Sequence, residues 1–165
     1  MEFQRQISRK LHEEHITILG LLDRFEQALL RLRAQPPEHS DPLWNQLIAQ
    51  LESALQYEVT RHFGLEEDQL FPRLHQRGEG DLAELLFEEH EAIREVTRPL
   101  LDLLARSRSG KLSEADWRSL RASGLELVER LGAHARKEEL ALVPLVDEML
   151  DEQGDSELWS EYGAA

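Results

Sequence analysis

Two segments of the sequence carry the same pattern of residues, and this repeat limits what the chain can fold into. Each segment begins with a His, has a Glu four residues later and a second Glu directly after it, and ends on a Leu and a Pro; the segments are 62–72 and 134–144. In an α-helix, residues four apart lie on one face, one turn from each other. Each segment therefore predicts a helix that presents an imidazole and a carboxylate to one site.

The spacing of apolar residues predicts four amphipathic helices. We place them at about 8–34, 42–70, 81–106 and 114–142. Asp41 and Asp81 are predicted N-caps, and Ser113 with Asp116 forms a predicted capping box. Pro72 is predicted to bend or end the second helix. Strand signals are absent, so the fold class is all-α, an antiparallel up-down-up-down four-helix bundle. The predicted domain is 1–150, and 151–165 is a C-terminal tail that is either docked or disordered.

The two halves of the chain repeat each other beyond the His and Glu pattern. The segment 11–15, Leu-His-Glu-Glu-His, recurs as Leu-Phe-Glu-Glu-His at 86–90, and Trp44 recurs as Trp117. The bundle is thus built from two similar helical hairpins. Each of the four repeated His lies about 20 residues, or roughly 30 Å of helix, from the turn of its hairpin. We therefore expect His15, His62, His90 and His134 at one level of the bundle.

The composition of the chain limits the partners and the kinds of metal site that it can have. The formal net charge of −14 opposes binding to nucleic acid or to anionic lipid. No apolar run approaches the roughly 18 residues of a membrane span. The chain has no Cys, which excludes thiolate nucleophiles and iron–sulfur clusters and leaves imidazole and carboxylate as metal ligands. Together with an N-terminus unlike a signal peptide, this predicts a cytoplasmic protein without disulfides.

The candidate metal ligands are the residues that the repeat brings to one level. They are His15, His62, Glu66, His90, His134 and Glu138. A His with an acidic residue four positions on arises readily by chance, since 33 of 165 residues are acidic. Two such pairs at equal depth in equivalent helices do not. Burying four imidazoles and two carboxylates costs several kcal/mol for each unpaired charge, and a bound metal offsets that cost.

Residues beside the candidate ligands receive plainer interpretations. Glu67 and Glu139 point about 100° away from the ligands on an α-helix, where hydrogen bonding to a ligand and solvation are both possible and solvation is the favoured expectation. His12 has Phe87 as its repeat equivalent and is expected at a boundary position. Two better-known metal motifs are missing: no His has a Glu three residues before it, as in ferritin-like bundles, and the zincin pattern His-Glu-x-x-His does not occur.

These motifs resemble those of hemerythrin-like proteins of the HHE cation-binding type over nearly the whole chain. The matching residues are Glu14-His15, His62-x-x-x-Glu66 with Glu67, Glu89-His90, and His134-x-x-x-Glu138 with Glu139. The resemblance implies two iron ions with a bridging oxo or hydroxo group. It further implies that His15 and His62 ligate one iron, that His90 and His134 ligate the other, and that Glu66 and Glu138 bridge. Imidazole–carboxylate sites also accept zinc and manganese.

The chain departs from the oxygen-carrying members of this family at one ligand position. Those members have a further His four residues after the helix-three ligand, where this chain has Arg94. Each iron would then keep an open position, which favours reaction with, or sensing of, oxygen, nitric oxide or peroxide over oxygen carriage. Two alternatives remain open: a metal storage or sensing module without turnover, and a helical scaffold that binds no metal.

Overall fold

Helices and the short loops between them make up the part of the chain that the structure describes. The computed structural model covers residues 2–163, and within that range it contains no strand. The helices are α1 (Gln6–Leu32), α2 (Pro42–Tyr57), α3 (Phe63–Leu65), α4 (Phe71–Gln76), α5 (Gly80–Ser109), α6 (Glu114–Lys137), α7 (Val143–Met149) and α8 (Glu152–Tyr162). None of these helices combines the length and the apolar character that a membrane crossing requires. The all-α prediction is confirmed.

Three π-helical turns interrupt the two helical runs that carry the repeated motif. They are π1 (Glu58–His62), π2 (Glu66–Leu70) and π3 (Glu138–Leu142). The α-helices that follow π2 and π3 directly have Pro72 and Pro144 as their second residues. Proline has no N–H to donate, and the early turns of a helix tolerate that loss. The prediction that Pro72 could end its helix is wrong, because the run continues through α4.

Two of the three predicted helix starts are confirmed. The carboxylate of Asp41 accepts hydrogen bonds from the backbone N–H groups of the first turn of α2. Ser113 and Asp116 form the capping box of α6, each side chain accepting from the backbone N–H of the other residue. The prediction for Asp81 is wrong, because α5 already begins at Gly80 and Asp81 lies inside its first turn. A negative charge in that position still interacts favourably with the helix dipole.

The helices pack into a bundle with two apolar clusters. α1 contacts α2, α6, α7 and α8, while α5 contacts α2, α4 and α6. The first cluster, which we call the tryptophan cluster, includes Phe25, Trp44, Leu51, Leu104 and Trp117. The second, which we call the terminal cluster, includes Ile7, Leu70, Leu86, Val146 and Tyr162. Along each of the four helical runs, the predicted metal ligands lie between residues of the tryptophan cluster and residues of the terminal cluster. The ligands thus form a buried polar layer between two apolar layers.

The C-terminal helix α8 packs onto the start of α1. Asp155, which is 6% exposed, accepts hydrogen bonds from the backbone N–H groups of Gln6 and Ile7 at 2.9 and 3.0 Å. These groups belong to the first turn of α1, whose own N-cap residue makes no side-chain cap. Leu158 and Tyr162 are buried on the same side of α8. Residues 152–162 are therefore helical and packed against the bundle, while 164 and 165 lie outside the described residues.

Candidate metal centre

The polar layer contains all of the residues that the sequence selects as ligands. Each is at most 1% exposed to solvent. His15 lies on α1, His62 at the end of π1, Glu66 at the start of π2, His90 on α5, His134 on α6 and Glu138 at the start of π3. A π-helical turn is rare and often marks a functional site. Here π1, π2 and π3 each contribute a residue to the layer.

The ligand atoms form two overlapping sets. The first consists of His15, His62, Glu66 and Glu138, and the second of Glu66, His90, His134 and Glu138. Within each set, one nitrogen or oxygen atom from every residue lies within 4.8 Å of the others. Both carboxylates belong to both sets. We call the space inside the first set the first cation position and the space inside the second set the second cation position.

Each shared carboxylate turns one oxygen toward each position. At Glu66, Oε1 is 3.0 Å from Nε2 of His62 and Oε2 is 3.1 Å from Nε2 of His90. At Glu138, Oε2 is 2.9 Å from Nε2 of His15 and Oε1 is 2.7 Å from Nε2 of His134. The carboxylates can therefore bridge two neighbouring cations, as in two-metal sites.

Many of these atoms are close together but are not hydrogen bonded. Nε2 of His62, His90 and His134, both oxygens of Glu66 and Oε1 of Glu138 are buried without a hydrogen-bond partner. The distances between these atoms are short, but their directions do not suit hydrogen bonds. Buried polar atoms without partners are rare because each costs free energy. Lone pairs that converge on one space fit bound cations, so this donor set suits a metal.

Every ligand imidazole is held from behind by a second carboxylate. Nδ1–H of His15 donates to Glu139 at 2.6 Å, and that of His62 donates to Glu14 at 2.9 Å. In the other half of the bundle, Nδ1–H of His90 donates to Glu67 at 2.6 Å and that of His134 donates to Glu89 at 2.8 Å. A carboxylate behind the ring favours the proton on Nδ1, so that the lone pair of Nε2 would be available to a cation.

The expectation that Glu67 and Glu139 are merely solvated is therefore wrong. They do point sideways from their own helices, but the neighbouring helix places an imidazole in that direction. Glu139 also accepts from Nδ1–H of His12 at 2.6 Å, which gives that His an indirect contact with the site. Glu67 also pairs with Arg94.

The two carboxylates that precede a ligand His have further partners as well. Glu14 accepts hydrogen bonds from the hydroxyls of Tyr57 and Tyr162, at distances from 2.6 to 3.0 Å. Glu89 pairs with Lys137. The sequence shows Glu14-His15 and Glu89-His90 as a repeated pair, which is a signal that could have revealed this role. Tyr162 brings α8 into the hydrogen-bond network of the site.

The carboxylates change the titration of the imidazoles. Burial lowers the pKa of each ligand His, but the facing carboxylates outweigh it, so the pKa rises to about 9 at His15 and His134 and to about 10 at His90. The pKa of His62 also rises well above its usual value. Burial raises the pKa of Glu138, but the charge of His134 and the hydrogen bond from Nε2–H of His15 hold it well below its usual range. Protons therefore compete with a cation for these imidazoles.

Arg94 does not belong to the ligand set. Its guanidinium donates to the carbonyl oxygen of Val59 and to Glu67. It also lies over the ring of Phe63 at 5.4 Å. Phe63 in turn stacks on His90, with 3.7 Å between the ring centroids and 7° between the planes. Arg94 thus reaches the centre only through Glu67 and Phe63.

The comparisons with known proteins agree with this geometry. A family model described as the hemerythrin HHE cation binding domain matches residues 6–146, a span that includes all of the predicted ligands. A comparison with curated proteins found no match. The matched span ends before α8, so Tyr162 and Asp155 lie outside it.

Proposed function

Because the chain belongs to the hemerythrin HHE cation-binding domain family, we propose that it is a non-heme di-iron protein that binds or reacts with a small ligand such as oxygen, nitric oxide or peroxide. The observation that carries this proposal is the pair of overlapping ligand sets that share Glu66 and Glu138. His15 and His62 would hold the ion at the first cation position, and His90 and His134 the ion at the second. Two neighbouring iron ions supply Lewis acidity and one-electron redox chemistry.

The chain itself provides orientation and isolation. The carboxylates behind the imidazoles keep each Nε2 turned toward the centre and raise its basicity. The tryptophan cluster and the terminal cluster cover the polar layer on two sides. Because the ligand residues are at most 1% exposed, only a small molecule can approach them without a rearrangement of the bundle. This supports a diatomic or peroxide ligand over a larger substrate.

Arg94 supports reaction or sensing over oxygen carriage. The oxygen-carrying relatives are expected to have a further His at this position, whereas Arg94 is directed to Glu67 and Val59. The chain then supplies two imidazoles to each ion. An ion with fewer protein ligands keeps room for a ligand or for a change in coordination during a reaction.

The up-down-up-down topology and a cytoplasmic location belong to the same proposal. Along α1 and α5, residues of the terminal cluster precede those of the tryptophan cluster, while along α2 and α6 with the turns that follow them the order is reversed. This alternation supports antiparallel neighbours. The lack of Cys supports a reducing compartment.

Anaerobic reconstitution with ferrous iron tests the proposal. The purified chain should bind two irons and, after exposure to air, show the near-ultraviolet absorption of an oxo-bridged diferric centre. One iron or none, in both the isolated and the reconstituted protein, would contradict it. Glu126→Gln, an exposed helix residue, is a suitable control and should retain both irons.

Rapid mixing of the reduced protein with oxygen, nitric oxide and peroxide separates reaction from storage or sensing. A protein that reacts should form product over repeated cycles. A storage or sensing module should bind and release its ligand, or its iron, without product.

A further inference from the structure

Glu58 is a buried carboxylate beside the first cation position that neither ligand set includes. It is 2% exposed, and its Oε1 has no hydrogen-bond partner. That oxygen is 3.8 Å from Nε2 of His62. A carboxylate buried without a donor is costly, and such groups are found paired or coordinated to metals. No Lys or Arg side chain forms an ion pair with it among the described residues.

The internal repeat does not explain Glu58. Glu58 stands four residues before His62, and the residue four before the equivalent His134 is Arg130. The side chain of Arg130 is 49% exposed and pairs with Glu126 on the surface of α6. The two halves of the centre are therefore similar in imidazoles and shared carboxylates but differ here. Four residues before the repeated His, the first half of the chain has the carboxylate of Glu58 and the second half has the guanidinium of Arg130.

The helix geometry directs Glu58 toward the same space as the ligands. Glu58 and His62 are the first and last residues of π1, and Glu66 begins π2. The imidazole Nε2 of His62 thus has an oxygen of Glu66 at 3.0 Å and an oxygen of Glu58 at 3.8 Å. A cation bound to that nitrogen lies within reach of both carboxylates.

We propose that Glu58 is an additional protein ligand of the cation at the first position, an inference that rests on the proposed function. This cation then has two imidazoles, one oxygen from each shared carboxylate and one oxygen from Glu58. The cation at the second position has the imidazoles and shared carboxylates alone. The second cation keeps more open coordination, so a small ligand binds there.

A groove on the surface gives a route to Glu58. The groove lies between α1 and α2, has a volume of about 1020 Å³, and includes Glu14, Tyr57 and Glu58 in its lining. A metal site needs an entry path as well as ligands. Glu58 lines this groove and also turns an oxygen toward His62, so a cation that enters from this side meets Glu58 before the imidazoles.

Titration of the metal-free protein with Co²⁺ tests the assignment, because the visible absorption of Co²⁺ strengthens as its coordination number falls. The wild type should bind two Co²⁺ per chain. In Glu58→Ala one of the two ions should bind at least about tenfold more weakly, and its absorption should become stronger. The other ion should keep its affinity and its spectrum. Glu58→Gln keeps the volume and one carbonyl oxygen, so its effect should have the same direction and be smaller.

Arg130→Ala serves as the matched control, because it removes the residue at the equivalent position of the second half. It should bind Co²⁺ as the wild type does. Circular dichroism shows whether each variant is folded, and Glu58→Gln carries the test if Glu58→Ala is not.

The outcomes are distinguishable. Isotherms and spectra of the Glu58 variants that match the wild type, with two ions bound, would overturn the assignment and leave the proposed function standing. Equal loss of affinity for both ions would also overturn the assignment, because the effect would not be confined to the first cation position. A wild type that binds fewer than two ions would instead overturn the proposed function.

Discussion

Replacing Glu67 with glutamine should lower the affinity for the cation at the second position and leave the affinity at the first position unchanged. Glu67 accepts from Nδ1–H of His90 at 2.6 Å, and its side chain is 18% exposed. Loss of such a partner behind a ligand imidazole typically lowers metal affinity 10- to 100-fold, and tenfold corresponds to about 1.4 kcal/mol. Glutamine still offers a carbonyl oxygen but no charge, and neutral hydrogen bonds are about half as strong as charge-assisted ones. We therefore expect about a tenfold loss for Glu67→Gln and about a hundredfold loss for Glu67→Ala.

The structure offers a matched control for this prediction. Arg94 pairs with both Glu67 and Glu91, but the side chain of Glu91 is 57% exposed and, among the described residues, forms no ion pair with His90. Glu91→Gln therefore reproduces the disturbance of Arg94 without touching the imidazole, and it should retain wild-type affinity. Competition for Co²⁺ or Zn²⁺ against a chromophoric chelator measures both affinities per chain. Equal affinities in Glu67→Gln and Glu91→Gln would refute the role that we assign to Glu67.

Three further predictions concern pH, the C-terminal helix and the position of the missing ligand. In the folded metal-free chain the facing carboxylates raise the pKa of His15 and His134 to about 9 and that of His90 to about 10, above the ordinary value of 6.5. In thermal unfolding with chelator, the stability that these protonated imidazoles contribute should be complete at pH 6.5 and should be lost as the pH rises through 9 to 10, while metal affinity rises over the same range; a chelated protein that gains stability between pH 6.5 and 10 would contradict this. Tyr162→Phe removes a hydrogen bond to Glu14 and should lower the unfolding free energy by about 1 kcal/mol. It should also weaken cation binding at the first position more than at the second. Equal weakening at both positions would mean that Tyr162 contributes only packing. Arg94→His should leave the optical spectrum of the oxidised centre unchanged because Phe63 packs between residue 94 and the imidazoles, and a shifted spectrum would show that the new imidazole reaches a metal.

The common level of the six candidate ligands could be predicted from the sequence because it follows from two periodicities. Helical spacing puts His62 and Glu66 on one face, and the repeat carries the same spacing to His134 and Glu138. The lengths of the helices then set the common depth. The caps at Asp41 and Ser113 could also be predicted from the sequence, because each depends only on residues within one helical turn.

Contacts between residues of different helices could not be predicted from the sequence. Periodicity states the direction in which Glu67 and Glu139 point, but not that an adjacent helix places an imidazole there. The π-helical turns add a second difficulty, because residues within π1, π2 and π3 no longer advance by 100° each. Glu58 was missed for both reasons.

The tail illustrates the same limit. No apolar period is visible after Asp151, yet 152–162 forms a helix because Asp155 and Tyr162 find partners on α1. Both contacts join residues far apart in the sequence. A stretch without a helical period can therefore still be an ordered part of a site.

The location of the bound metals tests the central claim most directly. Anomalous diffraction from crystals of the iron-loaded protein should show two peaks, roughly 3.5 to 4 Å apart, that lie between Glu66 and Glu138. One peak should lie beside His15 and His62, and the other beside His90 and His134. A single peak, or peaks at the surface away from these imidazoles, would contradict a centre in which two cations share both carboxylates.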